Sequence, residues 1–590
     1  MEFKYRLASL AAVAALGASA QGLHQEIDVE REIVPIERDA TRINTLPTLV
    51  LPPITPARLS FSERVVTARV PNSASPLDPT AYGDTLAPSP WRGYAALGIF
   101  PLYNVDFLAG YRILDTSRSR LSLWTQYDGR VYSKDRGENY YTRYWRDHTV
   151  SAGLDYDQKI GRKSFLDASL NYTFSSHTLT PVYRHHYQLE ADRVNFNAAY
   201  RSRAEGLTYR IAARYSYFGY CKQDMEWTPA KQNLFGLDLG GKIKAGETSW
   251  VKLDADIAVL STSKHTNCME PTAIDGGESS GLLTLSPAYL YTGKNFDARL
   301  GARLNVSFND GKVFHVAPDV LLGWHPSSYF ALSLSATGGV VMNTLASVND
   351  ITPYCDPFSV YGSSHVPYDF NGTITIGPFR GGYLQFFGGY ARANNWLMPF
   401  STTTPFNGGL MFSGVDINGW KPAPSIGLLY DESLFNGVDM KGWHVGVAVG
   451  YDYRDLFSIS LRYETAAHDN RAVDKGYYLW RDRARHVFSG ELTVRPVSQF
   501  EITAGMEWRC GRNMIDYKIT DMPVGNSPSL LLWPVDLGNV SNLTLGASYA
   551  FTPSLTFFLR GENLLNHRHI ILGDRISQGI TGLIGASYKF

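Results

Sequence analysis

Residues 581–590 read "TGLIGASYKF", and the order of side chains in this short stretch decides the fold. With Ile580 included, Ile584, Ala586, Tyr588 and Phe590 share one parity, whereas Thr581, Gly585, Ser587 and Lys589 share the other, with Leu583 the exception. Side chains alternate between the faces of a strand, so this is a strand with one apolar face that runs to Phe590. Chain ends are ordinarily polar and frayed. An apolar edge strand ending a soluble sheet would invite aggregation. The alternative is the closing strand of a membrane barrel, and the rest of the chain decides between them.

A chain of 590 residues has room for several soluble domains. Its composition points elsewhere. Lys+Arg and Asp+Glu both number 55, a balance that gives nucleic acid no electrostatic hold. The 53 glycines, 36 tyrosines, 29 phenylalanines and 12 tryptophans suit strands, turns and aromatic belts. No run outside the N-terminus approaches the roughly 20 apolar residues of a membrane helix. A barrel escapes that test, because only alternate residues face lipid.

The first residues, "MEFKYRLASLAAVAALGASAQG", carry Lys4 and Arg6, an apolar core from Leu7 to Leu16, and Ala18-Ser19-Ala20. This is the pattern of an export signal over 1–20, cleaved after Ala20 and without a lipoprotein cysteine. The mature chain is expected outside the cytoplasm.

Alternation then recurs along the chain. In "DARLGARLNVSF" (297–308), Ala298, Leu300, Ala302, Leu304, Val306 and Phe308 face one way and Arg299, Arg303 and Asn305 the other. "HVGVAVGYDY" (444–453) and "FEITAGMEW" (500–508) repeat the pattern. Such segments are longer than ordinary strands, and their second face carries Arg, Asp and Asn. Lipid outside and water inside explains both properties, and a soluble sandwich explains neither. Ten short connections (115–119, 158–163, 204–206, 245–247, 292–295, 325–328, 378–381, 453–456, 496–499 and 551–554) alternate with mostly long polar ones, such as 129–146, 262–281, 343–369, 393–441 and 511–537. Ten periplasmic turns with both termini on that side give eleven hairpins. The expected fold is all-β, a transmembrane antiparallel barrel of about 22 strands over 91–590, preceded by a Pro-rich arm over 21–90. The brief hairpin at 93–114, and 393–441 with room for a further pair, set the margin of the count at two strands.

The C-terminal "GENLLNHRHIILGDRISQGITGLIGASYKF" (561–590), with Asn563-Leu564-Leu565-Asn566 and the final strand, resembles the end of TonB-dependent outer-membrane receptors. The resemblance implies an integral outer-membrane barrel of 22 strands, closed by Ile584, Tyr588 and Phe590, whose terminal aromatic is read by the barrel assembly machinery. It departs from the family at the other end. Those receptors carry a globular plug ahead of the barrel, whereas Gln21–Pro90 offers 70 residues, ten of them proline. An ordinary plug does not fit there; the arm either hangs in the periplasm or threads into the lumen. Within it, "SERVVTARVP" (62–71) loosely resembles a TonB box, which adds a strand to the energy-transducing partner, and reads equally as an extended linker. A barrel this wide leaks solutes unless loops or the arm fill it.

Candidate sites lie mainly in the long connections. Aromatic faces beside charged groups can stack sugars or amphipathic ligands, and the ligand-binding candidates are Tyr140, Tyr141, Tyr144 and Trp145 with Tyr477, Tyr478, Trp480 and Arg481. The plainer reading of the same residues is an interfacial aromatic girdle. Cys221 and Cys268 fall in successive outer loops and are the candidate disulfide, with Cys355 and Cys510 remaining. No two cysteines have metal-ligand spacing, His185-His186 point to opposite faces, and His567 with His569 lacks a carboxylate partner, so neither a metal nor a cofactor is expected. No H-E-x-x-H or P-loop occurs, and no enzymatic role is expected. Arg299, Arg303, Arg462 and Arg560 face inward, and Asp297, Asp452, Glu464 and Glu562 share their side, which predicts weak charge selectivity. The function expected is uptake of an unidentified nutrient by a barrel of TonB-dependent-receptor type that lacks an ordinary plug. Its partners would be outer-membrane lipids, the assembly machinery and TonB. The alternative is a binding or scaffold barrel for a surface lipoprotein or secretion component.

Overall fold

The computed structural model describes residues 91–100, 104–134, 143–179, 187–222, 230–263, 278–351, 353, 362–379, 381–401, 433–454, 456–470, 484–519, 530–572 and 575–590. The export signal over 1–20 and the arm over 21–90, including 62–71, lie outside these residues.

Twenty-two strands form one antiparallel sheet that closes on itself. The first strand, Gly93–Phe100, pairs with the second, Asn104–Asp115, and also with the last, Thr581–Lys589, placing Tyr94 opposite Lys589 and Ile99 opposite Ile584. Gly93 and Phe590 exchange both backbone hydrogen bonds, 2.7 and 2.9 Å long. The Phe590 ring stacks on Tyr111, with centroids 6.1 Å apart. Thus the apolar strand that ends at 590 is the seam of the barrel, and closure removes the edge that would otherwise aggregate.

The ten tight turns fall at the positions read from the sequence, from the turn between Asn104–Asp115 and Ser119–Lys134 to that between Val540–Ala550 and Leu555–Glu562. Their rim also holds Gly93 and Phe590 at the two ends of the barrel wall, and short turns mark it as the periplasmic one. The opposite rim differs from expectation in extent. The strands run well into segments read as loops: Lys134 still pairs with Arg143 within 129–146, and Ser401 still pairs with Ser433 within 393–441. Strands of 20 and 21 residues, Gly382–Ser401 and Ser433–Tyr453, exceed the roughly 9–11 needed to span lipid and stand above the membrane. No additional barrel pair arises there among the described residues. Within 511–537 a separate two-stranded hairpin forms, Asn513–Ile519 with Leu530–Asp536.

Parity separates the two faces. Leu300, Val445, Ile502 and Ile584 are 49%, 54%, 38% and 57% exposed and belong to an apolar outer belt that lipid covers. Their strand neighbours Arg299 and Arg303 face the lumen. Leu583, the parity exception, is buried. It lies on the inner side with Phe558, where Gly98 and Gly585 leave room: a Cβ on Gly98 would stand 3.4 Å from the Phe558 ring and 3.6 Å from Leu583, and one on Gly585 would overlap that ring.

Candidate functional site in the lumen

The inner wall is wet and charged, and its charges are arranged in pairs. Arg299 bonds the Asp319 carboxylate, whose side chain is 3% exposed, and Arg303 reaches the same group at 3.9 Å. The register explains the geometry. Asp319 stands opposite Gly301, so the arginines two residues before and after Gly301 are its diagonal neighbours. Arg214 bridges Asp238, at 2.9 Å, and Asp256 on successive strands. Arg495 pairs with Glu501 at 2.7 Å, Arg462 with Glu464 at 2.9 Å and Arg560 with Glu562 at 2.5 Å. The four inward arginines read from the sequence are therefore paired. Asp297, by contrast, faces His325 at 3.6 Å, and the partner of Arg299 and Arg303 comes from the next strand.

Toward the periplasmic rim this wall encloses a cavity of about 1170 Å³. Its lining runs from the turn Thr116–Ser119 through Arg201, Arg203 and Arg210 to Asp254, Asp256 and Arg299.

The extracellular half of the lumen is occupied differently. The connection between strands Phe330–Val341 and Ser364–Phe379 turns inward and forms a helix, Leu345–Ile351. The sequence starts this helix locally: Thr344 and Ser347 cap each other, the Ser347 amide donating to Thr344 Oγ1 at 3.0 Å and the Thr344 amide to Ser347 Oγ at 2.9 Å. Leu345 and Val348, both buried, pack with Leu189, Ala191, Phe218, Tyr220 and Leu397. Phe196 and Ile211 are exposed on the outer face of strands Tyr187–Ala204 and Leu207–Lys222. By alternation, the lumen is lined by odd-numbered residues of Tyr187–Ala204 and by even-numbered residues of Leu207–Lys222. The helix therefore seats on the inner wall, seven strands away from its own.

Polar contacts fix its orientation. Arg193 donates to both Asp350 oxygens at 2.8 and 3.2 Å and to the Ala346 carbonyl at 3.0 Å. The Leu345 amide donates to Gln232 Oε1 at 2.8 Å, and Tyr220 donates to the Pro353 carbonyl at 3.0 Å. Burial of Leu345 and Val348 contributes about 1.5–3 kcal/mol each as an upper bound. Such hydrogen bonds to charged groups add about 1.5–3 kcal/mol. Packing and latch are of similar size, so the helix is a fixed element rather than a loose strap.

Of the sequence-derived ligand candidates, Tyr144 and Trp145 stand on strand Arg143–Ile160, opposite Ser133 and Tyr132. Trp145 is buried, at 2% exposure. Tyr140, Tyr141, Tyr477, Tyr478, Trp480 and Arg481 lie outside the described residues, as do Cys268, Cys355 and His185-His186. Cys221 is on a strand opposite Glu190, and Cys510 is a free thiol. His567 accepts the Ser541 amide at 3.1 Å and His569 shares a hydrogen bond of 3.0 Å with Ser577, so both belong to the polar packing before the last strand. Among the described residues no three His, Cys, Asp or Glu side chains are grouped to hold a metal. No described helix is long and apolar enough to cross a membrane. Sequence reasoning missed Arg193, Gln232, Asp350 and the lumenal helix; its one local signal was the Thr344-x-x-Ser347 cap.

No known protein family matches the sequence. No curated protein does either. Solved structures do match, over most of the chain. The siderophore receptor PirA of Acinetobacter baumannii superposes with a TM-score of 0.61 at 7% identity, covering 85% of this chain and 80% of that one. The outer membrane transporter YddB of Escherichia coli gives 0.58 at 9%, covering 86% and 81%. The FrpB iron transporter of Neisseria meningitidis gives 0.59 at 10%, covering 85% and 81%. The shared property is the fold. Together with the apolar belt it defines an integral outer-membrane β-barrel of the large, 22-stranded class.

Proposed function

We propose that this barrel transports an unidentified nutrient inward across the outer membrane, in the manner of TonB-dependent receptors but without an ordinary plug. The observation that carries the reading is the closed 22-stranded wall around a paired, charged lumen into which a helix is built, since a scaffold needs neither a polar passage nor a partition within it. The named siderophore and iron receptors of the same fold support receptor-type transport and leave the substrate of this chain open. Capture falls to the outer aromatics Tyr140, Tyr141, Tyr144, Tyr477, Tyr478 and Trp480 with Arg481, Trp145 being buried, and the segment 62–71 is the candidate contact with TonB.

Planar-bilayer conductance of the mature protein, beside a variant lacking 21–90, tests this. A closed protein that opens on removal of the arm supports gated uptake. A large steady conductance in the intact protein makes it an open pore and overturns energy-coupled transport. If both remain closed, the lumen is sealed by its own loops, and a scaffold for a surface lipoprotein becomes the better reading.

A further inference from the structure

We infer that His315, His365 and Asn394 bind one divalent transition-metal ion of the zinc type, which fastens three strands together toward the extracellular end of the lumen. The inference is independent of the transport reading, because the ion is a resident clip and not a cargo.

Placement provides the first argument. The three residues stand on strands Phe314–Ser327, Ser364–Phe379 and Gly382–Ser401, on the side of the rim that carries the hairpin of Asp310. Phe314 and Val316, 49% and 52% exposed, belong to the outer belt, so His315 between them turns to the lumen. The His365 ring meets it there, with centroids 4.1 Å apart and planes at 42°. Strand Phe330–Val341 lies between their two strands, which are therefore about 9–10 Å apart. It gives way at Gly338, where a Cβ would stand 2.9 Å from Ala317 Cβ and 2.5 Å from the Val366 carbonyl. The flanking strands close over bare backbone, and their side chains meet across it. Asn394 is directly opposite His365 in the register, and opposed residues of an antiparallel pair share a face.

Unused bonding capacity provides the second. His315 Nδ1, His365 Nε2 and Asn394 Oδ1 are each buried, and none has a hydrogen-bond partner among the described residues. Buried polar atoms are ordinarily satisfied. The residues beside them in the chain are tied to one another instead. The Asp310 carboxylate accepts the Ser363 amide at 3.0 and 3.1 Å and the Ser363 hydroxyl as well. Ser364 Oγ donates to the Asn395 carbonyl at 2.7 Å, and Asn343 Nδ2 donates to Ser364 Oγ at 2.9 Å. This network fixes the backbone next to His365 and Asn394 without using the three donors, as supporting contacts do around a metal ligand.

Donor chemistry selects the ion. Two imidazole nitrogens and an amide oxygen, with no thiolate or carboxylate, suit Zn2+, Ni2+ or Cu2+; Ca2+ and Mg2+ take oxygen ligands. Three protein donors leave a position for water, as in open zinc sites. Because the third donor is an amide, the group falls short of three His, Cys, Asp or Glu side chains. Lys312 acts electrostatically on both rings and opposes a cation there, so it tempers the affinity without supplying a donor.

The test uses the full mature chain without a histidine tag, stripped with a chelator and titrated in detergent with Co2+ as a spectroscopic stand-in and then with Zn2+. The site takes up one Co2+ per chain with the visible bands of nitrogen and oxygen ligands, and Zn2+ displaces it. Zinc also slows amide exchange in 314–316, 364–366 and 393–395. His315→Phe and His365→Phe keep an aromatic ring in place and remove a donor; each abolishes uptake while heat-modifiable migration stays normal. Asn394→Leu weakens uptake, and Lys312→Gln strengthens it by roughly two- to fivefold, as one exposed charge allows. No stoichiometric uptake, or uptake that survives both phenylalanine variants and so resides on other histidines, overturns the site. Uptake that leaves exchange in the three segments unchanged overturns the fastening.

Discussion

Leu300 and Arg303 stand on one strand, Phe296–Phe308, and meet different solvents. Leu300 belongs to the outer belt, where each side chain is specified on its own: it must be apolar because lipid offers no hydrogen bonds. Arg303 belongs to the inner wall, where water is present and a side chain is specified by what stands opposite, here Asp319 and the Gly338 carbonyl at 3.0 Å. The outer face is a sequence of independent choices. The inner face is a set of pairings, some between strands distant along the chain.

The largest effect comes from the inner position that admits no side chain at all. Gly585→Val drives a Cβ into the Phe558 ring and the Leu97 carbonyl at the closing seam. The folded, heat-modifiable fraction should fall more than about tenfold, in line with the 1–3 kcal/mol or more of overpacking; normal assembly would show that the seam yields. Leu300→Arg should cost about 2–4 kcal/mol in urea unfolding from vesicles, the range for a cation at mid-membrane. A cost below about 0.5 kcal/mol would place Leu300 away from the lipid core and weaken the comparison.

Smaller changes probe the inner face. Arg193→Ala removes the latch of the lumenal helix and should cost about 1–3 kcal/mol locally, read as faster amide exchange in 345–351 with global unfolding nearly unmoved. Conductance should rise with it; unchanged exchange would show that the Leu345 and Val348 packing holds the helix alone. Arg462→Gln breaks an exposed pair with Glu464 and should cost under about 1 kcal/mol. A larger loss there would mean that inner pairs act as one network.

How far the sequence could be read follows the same division. The alternation in "DARLGARLNVSF", the ten turns and the apolar parity of Ile584, Tyr588 and Phe590 are local signals, because a strand's period of two and a tight turn involve only neighbours in the chain. From them came the strand count, the assignment of each face and the closing strand. Strand ends were less legible: Trp145, placed in a loop by its aromatic and charged neighbours, is a buried strand residue, because pairing above the membrane leaves no local mark.

Tertiary structure alone decided which residues meet. Parity turned Arg299 and Arg303 inward, but the register of the next strand chose Asp319 for them over the nearer Asp297. The cap at Thr344 allowed a helix, and only the closed wall supplied Leu189, Phe218 and Arg193 to receive it. Period and turn chemistry are written residue by residue, so the chain carries them openly. The contact of a helix with strands seven places from its own exists only once the barrel has closed.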